Sequence, residues 1–209
     1  MRWHFHPIST VICLLLAYPL AVILSKKEVN QSSFIVLVFI LPMWMNFLLR
    51  ILAWQTLLER NGVINGILAF FHLHRLNLIN TPFAIILGMV YNFLPFMVLP
   101  IYNVLLKMDP SIVEAAQDLG ADTLLVYKKI IVPLSIPGIV SGITMVFIPS
   151  MTTFVISDLL GGSKYLLIGN VIETQFLTAG DWNFGSAISL IMAIIIMISL
   201  YITRKIDTD

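Results

Sequence analysis

Apolar residues gather into five long runs, at about 8–24, 34–54, 83–106, 130–154 and 184–202, with polar residues and glycines concentrated between them. A helix that crosses a bilayer takes roughly 20 mostly apolar residues. Each run is therefore predicted to be a transmembrane helix. Pro42 stands in the second run, Pro95 and Pro100 in the third, and Pro133, Pro137 and Pro149 in the fourth. Proline inside a spanning helix frees backbone groups that neighbouring helices, side chains or cavity water must satisfy. The pattern predicts a bundle with an interior rather than a simple anchor. The first run follows Arg2, as a signal peptide would, but no small-x-small cleavage site comes after it. Pro19 and then Lys26-Lys27 fit a helix meeting an interface.

Composition reinforces this reading. The 209 residues are 59% hydrophobic and 11% charged, against about 25% charged in a soluble domain. The expected fold class is an all-α polytopic membrane protein, with residues 1–209 forming one transmembrane domain. A net charge of +1 gives no reason to expect nucleic acid as a partner. The single cysteine, Cys13, excludes an internal disulfide and reads as a small apolar filler. His4 and His6, like His72 and His74, are two residues apart and diverge on a helix, so they are expected to be solvated rather than metal ligands.

Lysines and arginines orient the chain. Lys26, Lys27, Lys107, Lys128, Lys129, Arg204 and Lys205 fall on one side, which is seven of the twelve basic residues. That side is expected to be cytoplasmic, with the C-terminus inside and the N-terminus outside. The two long loops, 55–82 and 155–183, then lie outside. The first carries the turn signals Asn61-Gly62 and Asn65-Gly66. The second is too apolar for a free loop and is expected to hold a short re-entrant or interfacial segment.

Between the third and fourth runs lies an elbow, residues 109–133. Asp109-Pro110 stops the third run, and Ser111 with Glu114 has capping-box spacing ahead of a helix Ile112–Leu119. Gly120 stands where a left-handed residue ends a helix. Asp122 can cap a second helix, Thr123–Val132, before Pro133. Helix, bend and helix, with the small Ala115 and Ala116, make a shape that a groove in a partner can hold. By spacing alone, a well-capped cytoplasmic loop fits equally.

Glu114-Ala115-Ala116, Gly120, Ile130 and Pro133 resemble the EAA motif of ABC importer permeases, with Val132 where leucine is usual. Further resemblance runs through Leu41-Pro42-Met43-Trp44, Asn46, Arg50, residues 90–100, Ser157–Gly162, Leu166–Ile172 and Asp181-Trp182. It points to the spermidine/putrescine permeases, and to their first permease subunit more than to its sister. It implies a MetI-like transmembrane domain in a bacterial cell membrane, with five spans and a coupling helix here. The family's additional first helix would be missing ahead of Met1.

The resemblance also implies coupling residues Glu114, Ala115, Ala116, Gly120 and Pro133. The implied partners are an ATP-binding subunit dimer that uses ATP and magnesium, a second permease subunit forming a heterodimer, and an extracytoplasmic polyamine-binding protein. The chain itself would bind no cofactor and would not be an enzyme.

A path for polycations needs carboxylates or carbonyls for ammonium groups and aromatic faces for cation–π contact. The candidates are Trp44, Asn46, Tyr91, Asn92, Asp158 and Glu173. Trp44 and Trp54 also fit an interfacial belt, Tyr91 and Asn92 helix packing, and Asp158 and Glu173 solvated outer charges. Arg50 would repel a polycation and is expected to make a structural ion pair or carbonyl contact. No G-x-x-x-x-G-K-[ST] is present to cradle ATP, and neither H-E-x-x-H nor G-x-S-x-G supports a membrane-embedded enzyme. A permease for another small organic cation, and a shortened structural membrane protein that does not transport, stay open as alternatives.

Overall fold

The computed structural model describes residues 5–25, 41–162 and 164–208. These residues are helical between short turns, with no strand among them. Helix α1, Phe5–Ser25, takes up the first apolar run, and α4, Pro82–Leu106, the third. Ser9, Cys13, Ala17 and Ala21 are buried along one face of α1, at the four-residue spacing that lines up one side of a helix. This face lies on α4. The Ser9 hydroxyl donates to Met89 Sδ at 3.4 Å, and Cys13 Sγ points to the Val90 carbonyl at 3.8 Å. Thr81 caps α4, its Oγ1 accepting from Ala84 N, and Pro82 takes the first turn, where its missing N–H has no partner to lose.

Helix α7, Ile136–Thr152, runs back along α4. Gly138 and Gly142, one turn apart, make the approach possible. A β-carbon at Gly138 would stand 2.9 Å from the Pro100 carbonyl, and one at Gly142 2.8 Å from Met97 Sδ. Small residues at this spacing let helix backbones meet closely in a membrane, where apolar burial alone does not drive association. Helix α10, Trp182–Thr208, then lies on α7. Thr144 and Thr203 pair through their hydroxyls, and Met151, Ile168 and Met192 form a small second core.

Among the described residues three helices are long and apolar enough to cross a membrane: Phe5–Ser25, Pro82–Leu106 and Trp182–Lys205. The fourth run is a pair of helices, α6 (Thr123–Leu134) and α7, bent by 59° at Ser135. Prolines on either side explain the break, since Pro133 and Pro137 lack the N–H that a straight helix would use and Pro137 disfavours helical geometry just ahead of it. The second run is also interrupted. Residues 34–40, like Lys26 and Lys27, lie outside the described residues. After a helical turn over 41–44 the chain opens at Met45 and Asn46, and α2, Phe47–Leu58, begins afresh. Asn46 starts it by accepting from Leu48 N at 2.8 Å and Leu49 N at 3.4 Å, the role a short amide side chain plays best at a helix N-terminus.

The 55–82 stretch holds a short helix α3, Val63–Phe70. The 155–183 stretch holds α8, Val155–Gly161, and α9, Ile168–Thr174, the latter running into a π-helical turn over Gln175–Ala179. These pieces gather where α1 and α4 begin: Phe5 meets Tyr165 edge-on at 5.6 Å, and Asn80 N donates to the Leu160 carbonyl at 2.9 Å. The elbow joins the other end of α4 to α6, so the molecule has a loop end and an elbow end. Met192 sits by Met151 and Thr203 by Thr144, so α10 runs along α7 from the loop end in the direction of the elbow end.

Candidate functional site

The elbow begins with α5, Pro110–Asp118, none of whose residues is buried. Asp109, not Ser111, is its N-cap: the Asp109 carboxylate accepts from Ser111 N at 2.9 Å. The Ser111–Glu114 capping box is therefore corrected. Proline at 110 already fixes the first helical position, which moves the cap one residue upstream of it. Hydrogen bonds from Ser111 hold the Asp109 carboxyl below the usual aspartate range.

Gly120 has φ +85°, the left-handed geometry expected of it. Ala121 N donates to the Ala116 carbonyl at 3.0 Å and Gly120 N to the Gln117 carbonyl at 2.9 Å. This pair of reversed bonds closes the helix as a Schellman motif, and only glycine enters that backbone region without strain. Asp122 then caps α6, accepting from Leu125 N at 2.8 Å. Helix α6 is π-helical over Tyr127–Ile131, so the expected plain helix Thr123–Val132 carries one widened turn. Glu114, Ala115, Gly120 and Pro133 are exposed, and Ala116 is half-buried. Three apolar side chains on the same elbow stand out in the structure alone: Ile112, Leu124 and Leu119, the last 88% exposed. Leucines beside a docking motif carry no distinct sequence signal in a chain this apolar.

The six path candidates do not form one cluster. Trp44 is 84% exposed, and Asn46 spends its side-chain oxygen on capping α2. Tyr91 on α4 meets Trp54 on α2 edge-on at 5.3 Å. Asn92 is 1% exposed and donates to the Gly88 carbonyl of its own helix at 2.8 Å, while its Oδ1 finds no partner. Asp158 and Glu173 are brought together at the loop end. Burial first, and the Asp158 charge second, push the Glu173 carboxyl above the usual glutamate range. One polar residue that sequence reasoning passed over organises this pair. Asn170 accepts from the Ser157 hydroxyl at 2.6 Å and from Leu167 N at 3.0 Å, and donates to Asp158 Oδ1 at 2.8 Å and the Phe154 carbonyl at 3.3 Å. Both lone-pair positions and both N–H groups of the amide are used.

One expectation is overturned. His6 is not a solvated outer group but a buried member of α1, because the helix begins ahead of the apolar run. Arg50 is only 7% exposed, and its Nε and Nη1 find no hydrogen-bond partner. His72 and His74 are exposed, and no group of three or more metal-ligating side chains occurs among the described residues.

Comparison with known proteins agrees with this architecture. A family model described as "binding-protein-dependent transport system inner membrane component" matches residues 2–207. The chain is 39% identical over 197 residues to the spermidine/putrescine transport system permease protein PotB of Haemophilus influenzae, covering 93% of this chain and 69% of that protein. It is 41% identical over 197 residues to the protein of the same name from Escherichia coli K12, covering 93% and 72%. In fold it is similar to a chain of a bacterial alginate ABC transporter solved in complex with an alginate pentasaccharide-bound periplasmic protein. There the TM-score is 0.73 at 17% identity, over 97% of this chain and 77% of that one.

Proposed function

The chain belongs to the binding-protein-dependent transport system inner membrane component family, and from that premise we infer that it is the permease subunit of a bacterial ABC importer that carries polyamines, spermidine and putrescine. The observation that carries this reading is the elbow. It is a capped helix with no buried residue, a glycine bend behind it and exposed leucines around it, held at the end of a packed transmembrane bundle. Such a helix leaves its surface open and fits a groove on a separate subunit. Polyamine as the cargo rests on the names of the relatives, which cover most of this chain.

In this reading the elbow end is cytoplasmic, as Lys107, Lys128, Lys129, Arg204 and Lys205 favour under the positive-inside rule. Glu114, Ala115, Ala116, Gly120 and Pro133 form the surface that meets the ATP-binding subunit, which hydrolyses ATP with magnesium. A second permease subunit completes the path, and an extracytoplasmic polyamine-binding protein delivers cargo to the loop end. Tyr91 with Trp54 offers aromatic faces to an ammonium group, and Asp158 with Glu173 offers carboxylates. Exposed Trp44, the helix-capping Asn46 and the buried Asn92 are further candidates for the path.

The test is uptake of labelled putrescine and spermidine by cells that express this chain with its ATP-binding, permease and binding-protein partners. Saturable, ATP-dependent uptake of either polyamine is expected. Uptake of neither, with the complex assembled, overturns the polyamine reading. Replacement of Gly120 by proline is expected to abolish capture of the ATP-binding subunit while the protein stays in the membrane. Retained capture counts against the docking role of the elbow.

A further inference from the structure

The elbow moves only what it is tied to, and its first helix buries none of its own residues. The ties lie further on, in α6. Val126 is buried there, and Ile131 packs on the main core. Those contacts are apolar and set no direction. A directional one sits at the bend. Ser135, fully buried between α6 and α7, donates its hydroxyl to the Val132 carbonyl at 2.8 Å. Its oxygen lies 2.9 Å from the Tyr18 hydroxyl of α1. With the serine proton committed to Val132, Tyr18 is the donor. The Tyr18 ring also meets the Tyr127 ring edge-on, with centroids 5.9 Å apart. Tyr127 opens the π-helical turn of α6. One side chain on α1 thus touches both irregular points of the broken span: the widened turn, where an extra residue is accommodated, and the 59° break.

We propose that Tyr18 is a positioning residue for transport: it holds the π turn and the Ser135 break in register with α1, so that a displacement of the elbow is delivered to the bundle. The inference rests on the permease reading above and deepens it. A π turn is a place where a helix can lose or gain a residue and rotate the segment beyond it. Without a tie across it, part of the elbow's movement is absorbed in the turn. With Tyr18 bonded beyond the turn and stacked within it, the two sides move together. Helix α1 carries that movement along its length, because its Ser9–Cys13–Ala17–Ala21 face is seated on α4.

The experiment uses the complete complex in proteoliposomes, with ATP hydrolysis and polyamine uptake measured on the same sample. Tyr18→Phe keeps the ring contact and removes the hydroxyl, and Ser135→Ala removes the acceptor. Each is expected to leave ATP hydrolysis near wild type and to lower polyamine taken up per ATP by about fivefold, the scale of one hydrogen bond. The double variant is expected to be no worse than either single one, because both remove the same bond. In parallel, spin labels on Asp118→Cys and Leu15→Cys, both exposed, report the distance from elbow to α1. Tyr18→Phe is expected to broaden that distribution with and without ATP. If uptake per ATP and label distances are both unchanged in Tyr18→Phe, the proposal falls. Additive losses in the double variant overturn it as well. If wild type takes up neither polyamine while Tyr18→Phe still broadens the distances, the tie stands and the cargo reading falls.

Discussion

The two ends of the molecule are held by different means. At the loop end, side chains far apart in sequence meet and bury their polar atoms in one another. Asn170 ties α9 to Ser157, Asp158 and Phe154, and Asn65 bridges α3 to Leu76 through its N–H and carbonyl, at 2.8 and 2.9 Å. Within the elbow, ahead of the Ser135 break that Tyr18 reaches, the hydrogen bonds are local: Asp109 to Ser111, Asp122 to Leu125, Ala121 to Ala116. The first arrangement fixes helices relative to each other. The second fixes the shape of a short unit. A part that transmits motion needs internal stiffness without a permanent seat, and local capping supplies that combination.

Breaking the loop end is expected to have the largest effect on folding. Asn170→Leu leaves Leu167 N without its partner and takes the amide donor from Asp158 Oδ1, while the Ser157 hydroxyl and the Phe154 carbonyl keep each other. A buried group left unpaired costs about 1–3 kcal/mol, so a loss of that size is expected in unfolding followed in detergent. A change below about 1 kcal/mol would mean that water replaces the amide there, and the contrast between the ends would shrink.

Gly120→Val comes next. It places a β-branched residue at φ +85°, where the left-handed region costs about 1–2 kcal/mol for a residue with a β-carbon. The loss is expected to stay local, as faster hydrogen exchange at the Leu119, Gly120 and Ala121 amides, with the α1–α4 core unaffected. Loss of protection across the core would show that the elbow is part of the bundle's fold rather than a unit appended to it.

A smaller effect is expected from Glu173. Burial and Asp158 hold its folded-state pKa above the ordinary value. The advantage of the folded state is then complete below the ordinary glutamate pKa of about 4.3 and is lost as pH rises through the raised value. Wild type should lose stability across that window, and Glu173→Gln should remove that loss from the unfolding midpoint measured against pH. Identical profiles for the two proteins would detach Glu173 from the loop-end network.

Legibility in the sequence divides along the same line. Gly120 and Asp122 are readable because a cap and its target are two or three residues apart. The long spans are readable because hydropathy needs no partner. Ser111 looks like the cap in place of Asp109, although the proline between them holds the signal. The role of Asn170 is not readable: an asparagine in an apolar loop has no pattern, and the partners of its side chain lie up to 16 residues away. The Tyr18–Ser135 pair is separated by 117 residues. Arg50 shows the other side of this, since its burial without a partner for Nε and Nη1 depends on how α2 packs and not on its neighbours in sequence.

The sharpest contrast comes from a substitution expected to do nothing to the fold. Glu114 is exposed on a helix that buries no residue and is capped by others. Alanine is a better helix former than glutamate, so Glu114→Ala should change stability by no more than about 0.5 kcal/mol, the usual range for an exposed site. Hydrogen exchange across α5 should also match wild type. If the elbow docks as proposed, polyamine uptake should nevertheless fall, because the charge lost would then belong to a surface whose partner is on another chain. A residue that is silent in folding and costly in transport is what separates a docking unit from a scaffold. Normal uptake by Glu114→Ala would place the docking contacts elsewhere on the elbow, with exposed Ile112, Leu119 and Leu124 as the side chains to substitute next.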